Sequence, residues 1–212
     1  LQVPRHPGIV RFSEELNEAL SAQAFGSVIY ADLHHPLGLA VVAWTEHAER
    51  LTGAFRSILA DPRWPTELCI RTEFGMLGRT YATGFETNLQ DWLLERPKRT
   101  LLDPNNEFAI FYPLRRKGAF ERLDAKEKGG IMAEHGALGR AYGEQGLAHD
   151  IRLACHGLDP NDNDFVVGLV GKELYPLSHV VQSMRKTRQT AEFIERMGPF
   201  FVGQALHRNA GT

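Results

Sequence analysis

Apolar and polar residues recur with two different periods along the chain, and each change of period marks a boundary between predicted elements. Alternation with a period of two predicts strands, and apolar residues three or four positions apart predict helices. Strands are predicted over residues 25–35, 36–45, 66–86 (one or two strands), 107–114, 149–171 (a hairpin) and 199–206. Helices are predicted over residues 11–23, 46–60, 88–97, 124–142 and 174–197, the last with a possible break.

Local signals place the ends of three of these helices. Ser13 and Thr45 are residue types that cap a helix N-terminus, and Pro97 is expected to stop the helix that begins near residue 88.

The order of elements in the second half is β-α-β-β-α-β, which is the ferredoxin-like pattern. The first half reads as a degenerate copy, although no sequence repeat is detectable. The predicted fold class is therefore α+β, with two ferredoxin-like halves that form a dimeric α+β-barrel-like unit. We place the N-terminal half at 1–98 and the C-terminal half at 99–212.

Composition and charge exclude several classes of protein. The 212 residues are 43% hydrophobic and 24% charged with a net charge of −2, so nothing draws the chain to nucleic acid or an anionic membrane. No apolar run is long enough to span a bilayer. Two cysteines, Cys69 and Cys155, favour a reducing compartment and a cytoplasmic location, with a single bridge as the alternative. The N-terminal residues LQVPRHPG do not form a signal peptide, and removal of an earlier leader stays open.

A histidine lies within the apolar stripe of the predicted helix 124–142. Ile131, His135, Leu138 and Tyr142 share one face of that helix. One interpretation is a core histidine that is hydrogen-bonded to a carbonyl group. The other is an axial ligand to a haem iron, because a single imidazole on a rigid helix is sufficient for that role.

Two basic clusters, RPKRT (96–100) and PLRRKGAF (113–120), flank the strand 107–114. They are either solvated surface or anchors for anionic groups such as porphyrin propionates, which arginine binds through two parallel hydrogen bonds. Tyr112, near the end of that strand, is either a packing residue with a hydrated hydroxyl or a redox-active phenol.

Strand alternation in LAHDIRLACH (147–156) places Asp150, Arg152 and His156 on one face, which is a candidate pocket wall. A zinc site from His149 and His156 with the nearby cysteine is disfavoured, because adjacent strand residues point to opposite faces. No phosphate-binding loop, dinucleotide fingerprint, nucleophile elbow, HExxH or CxxC motif is present.

The segments YPLRRKG, AEHGALGRAY, GLDPNDNDF and GPFFVG occur in this order, and with them the chain resembles the chlorite dismutase-like family. The resemblance is clearest over 96–206. That family includes chlorite dismutases and coproheme decarboxylases, which have two ferredoxin-like halves and hold haem in the C-terminal half. The resemblance implies haem b or iron coproporphyrin (coproheme) as cofactor and a homo-oligomer, either a pentamer or a dimer.

The resemblance also implies roles for individual residues. His135 of AEHG takes the place of the proximal iron ligand, and Tyr112 that of the tyrosine that becomes a radical in the decarboxylases. Arg116 stands where those enzymes have a lysine that orients a propionate. Phe120 replaces a tryptophan beside the haem edge, and Arg99 resembles a propionate-binding arginine. The expected cofactor-binding residues are His135, Arg99, Arg116, Phe120 and Leu138.

The residue opposite the iron departs from the family pattern. Chlorite dismutases have an arginine there and many decarboxylases a glutamine, whereas counting from His135 reaches Ala148, or Asp150 if the preceding loop is longer. Arg152 follows on the same strand face, and His149 is a candidate distal histidine. The loop between Tyr112 and His135 is also about four residues shorter than in typical decarboxylases. The expected catalytic residues are Tyr112, Arg116, His149, Asp150 and Arg152.

The favoured function is that of a haem-dependent oxidoreductase, with peroxide-dependent coproheme decarboxylation in haem biosynthesis as the reaction. Chlorite dismutase, which converts chlorite to chloride and dioxygen, and a peroxidase-like haem protein are the alternatives. A non-haem α+β-barrel protein with a binding or stress-response role is the alternative from a different class. The expected partners are a porphyrin and a small oxidant, peroxide or chlorite.

Overall fold

The computed structural model describes residues 7–84 and 86–211. The helices are α1 (Pro7–Ala22), α2 (Arg56–Leu59), α3 (Arg96–Leu102), α4 (Gly118–Glu121), α5 (Ala125–Glu144), α6 (Leu174–Met184) and α7 (Arg188–Phe193). The strands are β1 (Gly26–Asp32), β2 (Leu39–Trp44), β3 (Phe108–Arg116), β4 (His149–Ala154), β5 (Phe165–Gly171), β6 (Ile194–Met197) and β7 (Phe201–Asn209). Among the described residues, no helix is both long and apolar enough to cross a membrane.

The chain folds as two compact units. Of the described residues, the first contains 7–72 and 203–211. In it β1 pairs antiparallel with β2 on one side and with residues 203–209 of β7 on the other. The buried side chains Leu16 and Leu20 of α1 pack into one cluster with Ile29 of β1, because the apolar stripe of the helix must be removed from water.

The second unit, Glu73–Val202, contains an antiparallel sheet in which β3 pairs with β5 and β5 with β4. The short strand β6 pairs with the far end of β3. Helices α5 and α6 pack on this sheet. Their common core contains side chains from strands β3, β4 and β5 and from α6, namely Ile110, Tyr112, Leu114, Ala154, Phe165, Leu169, Leu177 and Val180.

Helix α5 begins at the residue that its sequence specifies. The carboxylate of Asp124 accepts a hydrogen bond from the Glu127 N–H at 2.8 Å, which satisfies one of the unpaired donors of the first helical turn. The helix then continues to Glu144, so the histidine stripe lies on one uninterrupted element.

Three predicted helix ends are wrong. Thr45 is not an N-cap, because residues 45–48 are not helical and the helical residues begin at Glu49. Ser13 lies inside α1, where its hydroxyl donates to the Val10 carbonyl at 2.7 Å, because the helix already begins at Pro7. Pro97 does not stop a helix. It is the second residue of α3, which continues to Leu102 after a π-helical turn, Asp91–Glu95, and the first residues of a helix do not need their N–H groups for intrahelical bonds.

The strand prediction for 66–86 is also wrong for its described residues, Phe85 lying outside them. The described part contains a 3₁₀ turn, Thr72–Phe74, and one bridge between Arg79 and Ala154. Three of its apolar side chains, Leu68, Ile70 and Leu77, are exposed, so alternation alone did not produce a ladder.

The two predicted halves and the predicted N-terminal segment are not tested by the elements described above. The predicted halves 1–98 and 99–212 were defined by a similar order of elements, whereas the two compact units are defined by contacts. The halves therefore stay a prediction. The prediction for the N-terminal LQVPRHPG falls largely on residues 1–6, which lie outside the described ranges. Cys69 is exposed and Cys155 is buried, and both thiols are free.

Candidate functional site

One face of the β3–β5–β4 sheet carries most of the predicted site residues. The strand registers place Tyr112, Val167 and Arg152 in one row across the three strands, and Ile110, Leu169 and Asp150 in the next row. Neighbouring strands are separated by about 4.8 Å, so the backbones of Tyr112 and Arg152 lie roughly 10 Å apart. Because Tyr112 shares a core with residues of α5 and α6, this is the face that the two helices cover.

His135 lies on α5 in one defined hydrogen-bonding state. Its Nδ1 atom is 3.3 Å from the hydroxyl oxygen of Thr187. The shortest contact of that hydroxyl is with the Met184 carbonyl at 2.8 Å, with the Thr190 hydroxyl at 3.3 Å, so we assign its hydrogen to the carbonyl. The Thr187 oxygen therefore accepts a hydrogen bond from Nδ1–H, which assigns the tautomer from the network. Nε2 then keeps its lone pair, which is the arrangement of a metal-ligating histidine.

The electrostatic surroundings keep this imidazole neutral. Burial, followed by the positive charges of Arg152 and Arg116, lowers the pKa of His135 to about 4, against the opposing effect of the carboxylates of Asp150 and Glu134. A neutral imidazole can donate an electron pair to a metal, whereas an imidazolium cannot. Near pH 7 the side chain is therefore in the form that ligation requires.

Tyr112 is a buried phenol on the same covered face. Its ring stacks on that of Phe200 with 4.6 Å between centroids. Burial raises the pKa of Tyr112 to about 12, with Arg185 acting to lower it and Asp150 to raise it. The hydroxyl is therefore protonated across the physiological range, so Tyr112 can give up a hydrogen atom but is not a phenolate base.

Arg116, at the end of β3, is a largely buried cation on an aromatic platform. Its guanidinium carbon lies 4.6 Å from the ring centroid of Phe120 and 4.7 Å from that of Phe165, and Nη2 lies 3.9 Å from the sulfur of Met132. Burial lowers the pKa of Arg116, although arginine stays charged at neutral pH. Its Nε–H is buried and has no hydrogen-bond partner among the described residues. An unsatisfied charged donor of this kind fits a carboxylate ligand.

Asp150 on β4 holds two arginines together. Its carboxylate accepts a hydrogen bond from Arg96 Nη2 at 2.9 Å and forms an ion pair with Arg152, whose Nε lies 2.6 Å from the other oxygen. Both guanidinium groups lie over the ring of Trp92, at 4.5 and 5.8 Å, and the Trp92 indole N–H donates to the Tyr81 carbonyl at 3.1 Å. Burial acts to raise the pKa of Asp150, but the two arginines outweigh it and the pKa lies below its usual value.

Asp150, its two arginines and Trp92 line a small cleft of about 20 Å³, which has room for about one water-sized molecule. Its wall consists of residues from the segment before α3, from α3 and from β4, namely Thr80, Tyr81, Thr83, Trp92, Arg96, Pro97, Asp150, Ile151 and Arg152.

The other predicted site residues lie in different surroundings. His149 belongs to the opposite face of β4 from Asp150, because side chains alternate along a strand. Arg99 is 65% exposed and pairs with Asp91 at 2.9 Å, without a contact to the cluster around Asp150. Leu138 is half-buried on α5, one turn beyond the histidine.

Two residues of the cluster were missed by sequence reasoning. Arg96 stands in the basic segment RPKRT, but only the π-helical turn before α3 decides that Arg96, and not Arg99, reaches Asp150. Thr187 lies in the predicted helix 174–197, and its role depends on the break between α6 and α7 at that residue. Threonine is a common residue before the start of a helix, so Thr187 next to a possible helix break was the available signal for this position.

Together the fold and the site define an α+β protein in which a helix carries a neutral histidine above a sheet face with a buried tyrosine and arginines. The sequence model of the family described as chlorite dismutase matches residues 73–206, and the chain belongs to this family. The predicted family resemblance is confirmed.

Individual relatives agree with this assignment. The chain is 34% identical over 119 residues to the coproheme decarboxylases of two strains of Thermus thermophilus, covering 54% of this chain and 46% of each relative. The chain therefore spans about half the length of the curated relatives it matches.

Solved structures extend the likeness to nearly the whole chain. A heme-binding protein from Thermus thermophilus has a TM-score of 0.64 at 26% identity, covering 96% of this chain and 80% of that one. A mutant chlorite dismutase from Candidatus Nitrospira defluvii has a TM-score of 0.65 at 15% identity, with coverage of 94% and 81%. The second likeness concerns the fold alone. The predicted ferredoxin-like α+β fold class is confirmed.

Proposed function

We propose that this protein binds iron coproporphyrin and decarboxylates it with hydrogen peroxide as oxidant, as a coproheme decarboxylase. The observation that carries the proposal is the neutral imidazole of His135 on α5, with Nδ1 engaged and Nε2 free, above the face that holds Tyr112 and Arg152. The relatives named coproheme decarboxylase support the choice of reaction.

The described residues fit a haem-type ligand. Nε2 of His135 would bind the iron, and Thr187 would hold the ring in the orientation and tautomer that the bond requires. The α5 position one turn later, Leu138, is apolar and half-buried, as the flat face of a porphyrin requires. Bound iron coproporphyrin would supply the redox chemistry and the propionate groups on which the reaction takes place.

Arg116 would bind a propionate. Its guanidinium is fixed by the rings of Phe120 and Phe165, so little side-chain freedom remains to be lost on binding. Its unsatisfied Nε–H would gain an acceptor. Phe120 contributes as the platform of this arginine, in contact with Phe193. Arg99, which is paired with Asp91 on the surface, is not part of this proposal.

Tyr112 would transfer the hydrogen atom. Loss of carbon dioxide from a propionate to leave a vinyl group releases two electrons and one proton. One hydrogen peroxide accepts two electrons and two protons to form two waters, so the second proton comes from solvent. A buried phenol that stays protonated can first give up a hydrogen atom and then recover one from the propionate. Its stacking on Phe200 holds the ring in place and keeps water away from it.

The test is to titrate the purified protein with iron coproporphyrin, add hydrogen peroxide in steps, and separate the extracted pigments by chromatography. We expect loss of the tetracarboxylate pigment and the appearance of vinyl-bearing products. The Tyr112→Phe variant should bind the pigment as the wild type does and form no product.

Tyr175→Phe is the matched control, because the Tyr175 side chain is 74% exposed on α6. It should form product at the wild-type rate. Product formation by Tyr112→Phe at that rate would contradict the hydrogen-transfer role, and absence of product from the wild type with bound pigment would contradict the reaction.

Chlorite dismutation is the second candidate, because Arg152 brings an arginine to the covered face in the same row as Tyr112. Oxygen evolution after chlorite is added to the haem-loaded protein separates the two. The decarboxylase proposal expects none above the level of free haem. Assembly into a pentamer or dimer and a cytoplasmic location stay predictions, the first of which light scattering on the purified protein tests.

A further inference from the structure

We propose that Asp150 is a specificity-determining residue whose carboxylate occupies the anion position between the guanidinium groups of Arg96 and Arg152, so that the site admits neutral oxidants and excludes small anions. The inference deepens the proposed function, on which it rests for the identity of the oxidant. The contacts that carry it do not depend on a bound porphyrin.

The carboxylate is shared by both arginines. One oxygen accepts a hydrogen bond from Arg96 Nη2 at 2.9 Å, and the other lies 2.6 Å from Arg152 Nε in an ion pair. The carboxylate therefore uses a donor of Arg96 and neutralises charge beside Arg152, and a free anion would have to compete with it for both arginines. The three side chains are each about one-third exposed, at 33%, 34% and 35%, so the group borders on solvent-accessible space.

Contacts with neighbouring residues hold Arg96, Asp150 and Arg152 in place before any ligand binds. Both guanidinium groups lie against the Trp92 ring, which is itself held by a hydrogen bond to the Tyr81 carbonyl. Arg96 comes from α3 and the other two charged residues from β4, so two elements with independent backbones converge on one carboxylate. Without Asp150 the same framework would present two fixed arginines and no anion.

Asp150 lies on the same face of the sheet as Tyr112, in the neighbouring row of side chains. Its charge acts on the imidazole of His135 and on the hydroxyl of Tyr112. A small anion that enters must therefore displace the carboxylate or approach a like charge, and each is unfavourable in a partly dehydrated site. Neutral hydrogen peroxide meets no such repulsion and can donate a hydrogen bond to the carboxylate.

The experiment compares an anionic and a neutral ligand of the ferric haem-loaded protein, fluoride and imidazole, by absorbance titration. Asp150→Asn keeps the size of the side chain and removes the charge. It should bind fluoride roughly tenfold more tightly than the wild type, while imidazole affinity changes by less than about threefold. Asp150→Glu, which keeps the charge, should bind fluoride as weakly as the wild type.

Asp162→Asn is the matched control. It removes a carboxylate from an ion pair with Arg115 at 2.7 Å, outside the cleft, and asparagine tolerates the positive φ of 56° at that position. Its fluoride affinity should equal that of the wild type. Equal fluoride affinity of the wild type and Asp150→Asn would overturn the inference.

A second readout needs no porphyrin. In the apoprotein, Asp150→Asn should broaden the chloride NMR signal more than the wild type does, and adding Arg152→Gln should remove the excess. Asp150→Ser gives the same comparison if the asparagine variant does not fold. If Asp150→Asn shows the excess broadening but the protein does not bind haem, the proposed function is refuted and this inference is supported. If Asp150→Asn shows no excess broadening, this inference alone is refuted.

Discussion

Lowering the pH from 7.5 to 5 should destabilise the apoprotein through His135. In the folded chain burial lowers the pKa of His135 to about 4, from the ordinary value of 6.5 that applies in the unfolded chain. Between these two values the unfolded chain binds a proton that the folded chain does not, so the free energy of unfolding falls as the pH falls. At pH 5 this linkage amounts to about 2 kcal/mol relative to pH 7.5.

The assay is urea or thermal unfolding of wild-type and His135→Gln apoprotein at both pH values. Other groups titrate in both proteins, so the difference between the two pH dependences isolates the histidine. The wild type should lose about 2 kcal/mol more than the variant, which for a chain of this size is roughly 4–8 °C in Tm. Tyr175→Phe should retain the wild-type dependence. Parallel losses in the wild type and His135→Gln would refute the account of a buried neutral imidazole.

Three further predictions concern the residues around the proposed ligand. Thr187→Val should lower the Nδ1–H tautomer fraction of His135 in nitrogen NMR of the apoprotein and Thr187→Ser should restore it, whereas an unchanged tautomer in the valine variant would rule out the threonine as acceptor. Arg116→Gln should weaken iron coproporphyrin binding by roughly tenfold in fluorescence-quenching titrations. Arg99→Gln should leave that affinity within about twofold, because Arg99 is exposed and paired with Asp91. A larger loss of affinity in Arg99→Gln than in Arg116→Gln would mean that Arg99, and not Arg116, binds the propionate.

Much of the sheet and the histidine helix could be predicted from the sequence, because their apolar periods correspond to buried faces. Alternation in β4 correctly places Asp150 and Arg152 on one face, and the stripe through His135 lies on one helix. The segment 66–86 could not be predicted, because alternation describes side chains and gives no information on whether a neighbouring backbone is available for pairing.

The parts of the site that escaped prediction depend on helix phase and on helix ends. A single π-helical turn before α3 rotates the basic segment, so that Arg96 reaches Asp150 while Arg99 faces Asp91. The acceptor of the His135 ring is a threonine 52 positions later in the chain, at the start of α7. Such a contact follows from tertiary packing and has no signature in local sequence.

The central claim, that His135 ligates the iron of a bound porphyrin, is tested most directly by absorbance titration of wild-type and His135→Ala apoprotein with iron coproporphyrin. The account predicts saturable one-to-one binding by the wild type, with the Soret band of a histidine-ligated ferric porphyrin. It also predicts a shifted band and weaker binding in the variant, with added imidazole restoring the wild-type spectrum. Identical affinity and Soret position in the two proteins would contradict the claim.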